Sequence, residues 1–150
     1  MWYARADFAK ENPDLIEGIV RGIFDSIEEL KSQPEQQKVS EWMAQGYAIP
    51  KDECLAMLAD AHWTNYAENR DFFINQNNPA RFESVWNQAY YIYRRIRSVT
   101  HQPVPFDKVV DFSVIKKLAD EEKYASQKNE YRVAFTSFFK TTRFRVWHAV

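Results

Sequence analysis

Between Pro13 and Ser32 the hydrophobic positions recur at three- and four-residue steps: Leu15, Ile16, Ile19, Val20, Ile23, Phe24, Ile27 and Leu30. That period predicts an α-helix with one apolar face. Pro13 suits the first turn of such a helix, and Asn12 before it suits the N-cap. Asp14 and Glu17 sit near its positive end and Lys31 near its negative end, as the helix dipole prefers. A face this apolar must be covered, and the later helices are expected to cover it. Gly18 and Gly22 lie at the edge of that face, each costing up to about 1 kcal/mol of helix propensity relative to alanine. The expected compensation is close approach of another backbone.

Further along, the pattern predicts shorter helices. Asp7–Glu11 reads as a helical turn leading into the long helix, and Trp2–Ala4 as the end of a strand. Pro34 opens a second helix with Val39, Trp42 and Met43 on its buried side and Gly46 as its C-terminal cap. Pro50 opens a third, with Cys54, Leu55, Leu58 and Ala61 as its face. Residues 62–78 are dense in asparagine and aromatics and read as a partly ordered loop, with one helical turn near 65–73. Pro79, capped by Asn78, opens a fourth helix whose inner stripe is Phe82, Val85, Trp86, Ala89, Ile92, Tyr93 and Ile96. Residues 101–106 form a proline-rich connection. A short helix follows from Val114 to about Glu122, with Asp111 or Ser113 as its cap. The fold class predicted is therefore mostly α, with at most one or two short strands. The boundary falls between a helical portion, 1–122, and a basic, aromatic tail, 123–150, read as a linker or poorly packed segment. Parts of that tail, such as Arg143–Val146, alternate like a strand.

Composition narrows the classes without choosing among them. A chain of 150 residues fits one domain or a piece of a larger one. The net charge of −1 gives no global pull toward nucleic acid or an anionic membrane. The single cysteine, Cys54, excludes an internal disulfide and reads as a core thiol. Three glycines are too few for a phosphate-binding loop. No apolar run reaches the roughly 18 residues that a bilayer span needs, and no secretory signal follows Met1.

The candidate chemistry is sparse. His62, His101 and His148 have no metal-ligand spacing, so no metal is expected. Asp120, Glu121 and Glu122, with Asp111 nearby, read as a solvated helix face rather than an acid–base pair. No nucleophile elbow surrounds any serine. No catalytic residue and no cofactor is expected. Tyr90, Tyr91 and Tyr93 precede Arg94, Arg95 and Arg97, an interleaving that single-strand binders use. The plainer reading is a solvated helix end favourable to the dipole, so nucleic acid is not an expected partner. The most ligand-like stretch runs from His62 to Phe73. There Trp63 and Tyr66 offer stacking surfaces, and Asn65 and Asn69 offer amide hydrogen bonds to a small polar ligand. Against this stands packing of the aromatics under the loop while the asparagines close turns.

The order of features resembles the C-terminal part of a periplasmic substrate-binding protein of an ABC transporter, of the nitrate/sulfonate/taurine class. The stretches that carry it are YARADFAKENPDLIEGIVRGIFDSIEEL (3–30), SEWMAQGYAIPKDECLAMLADA (40–61), NYAENRDFF (65–73), FESVWNQAYYIYRRI (82–96) and VPFDKVVDFSVIKKL (104–118). The resemblance covers about residues 2–120 and implies a two-lobed α/β protein. Such a protein closes on a small-molecule ligand and hands it to a membrane permease without catalysis. It also implies a place in the periplasm or otherwise outside the cytoplasmic membrane. Most of both sheets and most cleft residues are expected upstream of Met1, so no family ligand contact is assigned to a residue here. A free-standing helical module that docks a protein partner is the alternative from another class.

Overall fold

The structure, a computed structural model, describes residues 3–130. They are mostly helical, as the pattern predicts, and no strand occurs among them. The helices are α1 (Ala6–Glu11), α2 (Pro13–Glu29), α3 (Gln33–Tyr47), α4 (Lys51–Ala59), α5 (Tyr66–Phe73), α6 (Phe82–Arg95), α7 (Phe106–Val109), α8 (Ser113–Leu118) and α9 (Glu122–Ala125). Tyr3 and Ala4 are neither helix nor strand. The strand-like alternation at Arg143–Val146 lies outside the described residues, as do the tail's Arg132 and Lys140. No helix among the described residues is long and apolar enough to cross a membrane. The chain divides into two compact units, residues 1–65 and 66–150.

In the first unit, Asn12 serves two helices. Its amide nitrogen donates to the Phe8 carbonyl at 3.0 Å, closing α1, and Pro13 then starts α2. The last turn of α2 ends at Glu29, and Leu30 to Ser32 form the turn into α3. Glu17 and Arg21, one helical turn apart, form a half-buried ion pair at 2.8 Å. Only Phe24 of the long apolar face is fully buried, whereas Leu15 is 51% and Ile19 47% exposed. Among the described residues the full cover expected over this face is not found. Nor do Gly18 and Gly22 mark a close approach: a Cβ added at either meets nothing within 4 Å.

α3 and α4 pack against each other as a hairpin, with Lys51 ion-paired to Glu41. The buried positions are Ser40 on α3 and Cys54 and Leu58 on α4. Ser40 is satisfied because its hydroxyl donates to the Gln37 carbonyl at 2.7 Å. Trp42, expected inside, is 58% exposed and lies under the Lys38 ammonium, 5.0 Å from its ring centre. Gly46 does not cap α3. The helix runs on through Tyr47, and Ala48 takes the left-handed cap conformation at φ 56°. Ala61 falls beyond the end of α4 and is exposed.

The second unit is built on α5, which lies in the stretch expected to be a partly ordered loop with one helical turn near 65–73. It is a helix of 8 residues that packs on α6, α8 and α9. Tyr66, Ala67 and Glu68 are buried at its start. At its end, Phe72 and Phe73 meet Phe82 of α6 with ring centres 5.8 and 5.4 Å apart. Phe106 of α7 and Phe112 ahead of α8 complete the cluster, Phe106 lying 5.6 Å from Phe82 and Phe112 5.8 Å from Phe73. Pro79 does not start α6. It follows Asn78 in a turn closed by Arg81 N–H to the Asn78 carbonyl at 3.1 Å, where proline's fixed φ fits the second position. The Asn78 side chain closes the same turn by accepting from the Ala80 N–H at 2.9 Å. Asp111 does act at the start of α8, accepting the Ser113 N–H at 2.8 Å, which holds its carboxyl below the usual range. The packed chain continues past Glu122, since Tyr124 on α9 is only 2% exposed.

The open space at Gly22 and the left-handed backbone at Ala48 make opposite substitutions favourable. Gly22→Ala is expected to raise stability by about 0.5–1 kcal/mol through helix propensity. Ala48→Gly is expected to raise it by about 1 kcal/mol by removing the Cβ strain of the left-handed cap. Urea unfolding midpoints of the two variants check both signs.

Candidate functional site

The four residues singled out by sequence are divided between the two units. Trp63 and Asn65 end the first, and Tyr66 and Asn69 lie on α5 of the second. Trp63 is 47% exposed, and its indole N–H reaches back to the Leu58 carbonyl at 3.4 Å. Asn65 is buried and Asn69 half-buried.

Tyr66 is fully enclosed. Its ring stacks at a tilt on Tyr124, centres 5.4 Å apart, and the Arg70 guanidinium lies 6.0 Å over its face. Its hydroxyl donates to the Ile115 carbonyl of α8 at 2.8 Å, and its N–H donates to Gln127 Oε1 at 3.0 Å. Burial pushes the Tyr66 pKa above its ordinary value, against a smaller downward pull from Arg70, and Asp120 adds to the rise. The hydroxyl thus ties α5 to α8 and is not presented to solvent. Glu68, also buried, accepts the Glu130 N–H at 3.1 Å.

The concave feature of this unit lies beside α5, where residues 127–129 run along the helix. It is a groove of about 530 Å³ lined by Arg70, Asp71, Asn75, Gln127, Lys128 and Asn129, with Ala67 and Ile74 beside them. Asp71 organises it. Its carboxylate accepts from the side-chain amides of Asn75 at 2.6 Å, Asn78 at 3.2 Å and Asn129 at 3.3 Å. The asparagines therefore knit the turn after α5 to the chain leaving α9. Arg70 and Lys128 add two cationic side chains. Amide and charged side chains make up most of its described lining. Of the four sequence candidates, none lines it. Density of asparagine at 75–78 was the one signal in the sequence that pointed here. Gln127, Lys128 and Asn129 carry no periodic mark.

Comparison of this chain with protein-family models, with curated proteins and with solved structures gives no match.

Tyr66→Phe keeps the ring and deletes the bond to Ile115, and is expected to cost about 1–2 kcal/mol. The pH dependence follows from the raised pKa. The contribution is whole below the unfolded tyrosine pKa of about 10 and is lost as pH rises through the folded value. Urea midpoints measured from about pH 8 to about pH 11 should therefore fall more steeply for the native chain than for Tyr66→Phe.

Proposed function

We propose that this chain is the helical C-terminal portion of the solute-binding component of an ABC-type importer for a small molecule, acting outside the cytoplasmic membrane and without catalysis. The order of sequence features from 3 to 118 suggests it, and the mostly helical structure is compatible with it. The observation that carries it is the half-covered face of α2. Leu15 and Ile19 remain about half exposed on a helix whose sequence dedicates eight positions to a core. A face of that kind belongs against a sheet or a second lobe supplied by more protein. In this reading the ligand cleft forms with sequence beyond this chain, and the permease is met by the assembled protein.

A second reading is a helical module that docks a protein partner. A different observation favours it: the last turns of α6 keep Ile92, Tyr93 and Ile96 more than half exposed.

Thermal melts by circular dichroism, with size-exclusion chromatography beside them, test the first reading. The chain alone is expected to self-associate and to melt broadly, as exposed apolar surface dictates. Leu15→Ser and Ile19→Ser are expected to restore a monomer at a cost below about 0.5 kcal/mol each, because neither site is a closed core position. A monomeric native chain with one sharp transition overturns the reading.

A further inference from the structure

The inner stripe of α6 changes character along its length. Phe82 is 8% exposed under Phe72, Phe73 and Phe106, and Trp86 lies 6.2 Å from Phe106. Val85 is already 44% exposed, and beyond Ala89 the cover ends. Tyr91 is 63%, Ile92 56%, Tyr93 53% and Ile96 61% exposed. The charge around them is of one sign. No aspartate or glutamate occurs from Ser84 to Phe106, while Arg94, Arg95 and Arg97 fall in the last turn and just after it. The helix is closed by a Schellman turn, Arg97 N–H to the Arg94 carbonyl and Ser98 N–H to the Tyr93 carbonyl, with Arg97 at φ 60°.

These arginines are steadied by neutral groups. Arg94 Nη1 donates to the Tyr90 hydroxyl at 2.9 Å, and that hydroxyl donates to the His101 carbonyl at 3.0 Å. Arg95 Nη1 donates to the Tyr91 hydroxyl at 3.1 Å. Each guanidinium keeps further N–H donors, and no carboxylate among the described residues neutralises either one. Tyrosine and arginine, enriched at protein interfaces while lysine is depleted there, stand here beside exposed isoleucines. A pre-positioned guanidinium fork suits a planar carboxylate better than a diffuse negative surface, which lysine would serve equally. Pairing with a second copy would set arginines against arginines.

We propose that the C-terminal half of α6 docks an acidic amphipathic helix of a protein partner. Its apolar side chains cover Ile92, Tyr93 and Ile96, and its carboxylates pair with Arg94, Arg95 and Arg97. This inference rests on the docking-module reading for its biological meaning, and on the α6 surface alone for its geometry.

The test uses the full chain and a fluorescein-labelled synthetic helix of about four turns, with leucines along one face and glutamates beside them. Its twin carries glutamine at every glutamate. Fluorescence anisotropy is expected to show the glutamate helix bound at least about tenfold more tightly than its twin, with affinity falling as salt rises. The variants Arg94→Ala/Arg95→Ala/Arg97→Ala and Ile92→Ser/Ile96→Ser should each lose about tenfold or more. Their circular dichroism melts should match the native chain, because these side chains are exposed. Equal binding of the twins, no binding of either, or binding that survives the arginine triple overturns the proposal. So does arginine-dependent sedimentation with phosphatidylglycerol vesicles, or capture of a single-stranded oligonucleotide, in place of peptide binding. The Leu15→Ser/Ile19→Ser background separates the two readings. Loss of the importer reading leaves the peptide result unchanged, and loss of peptide binding leaves the self-association result unchanged.

Discussion

Burial of α5 is the constraint on which the second unit depends. An isolated helix of eight residues is too short to be stable in water, so α5 exists because its neighbours enclose it. One end inserts Tyr66 between α8 and α9, where ring stacking and a hydroxyl bond to Ile115 hold two short helices at once. The other end inserts Phe72 and Phe73 into a group of aromatic rings drawn from α6, α7 and the approach to α8. α7, α8 and α9 have 4, 6 and 4 residues and could not hold themselves either. Each is stable only as part of this mutual enclosure.

Polar bonds then finish what the rings begin. Asp71 gathers amides from the turn after α5 and from the chain after α9, so the groove is a by-product of closing that turn as much as a place for a ligand. Asp71, Asn75 and Asn129 in its wall are already bonded to one another. The surfaces with unmet apolar contact lie elsewhere, on α2 and on the last turns of α6. Both readings of function start from those surfaces rather than from a catalytic constellation.

Much of this was legible in the sequence. The long helix could be read from period alone, because seventeen residues sample the helical repeat several times over. Pro13, Asp14 and the start of α4 at Lys51 follow from local backbone chemistry. α5 was legible only as a single helical turn near 65–73 inside a loop, because two turns give too few repeats to set a period, and asparagine and aromatic residues weigh against helix. Pro79 was misread because a proline fits the second position of a turn as well as the first turn of a helix. Gly46 was misread because the left-handed cap fell two residues later, on an alanine.

By itself, then, the sequence determined the helical class, the long amphipathic helix and the absence of a membrane-length apolar run. These depend on residues near one another along the chain. Only the tertiary structure decided that Tyr66 is a buried strut, that Trp42 faces solvent, and that the apolar stripe of α6 is half core and half surface. Those outcomes depend on which distant segments arrive to cover a side chain, and no local period encodes that.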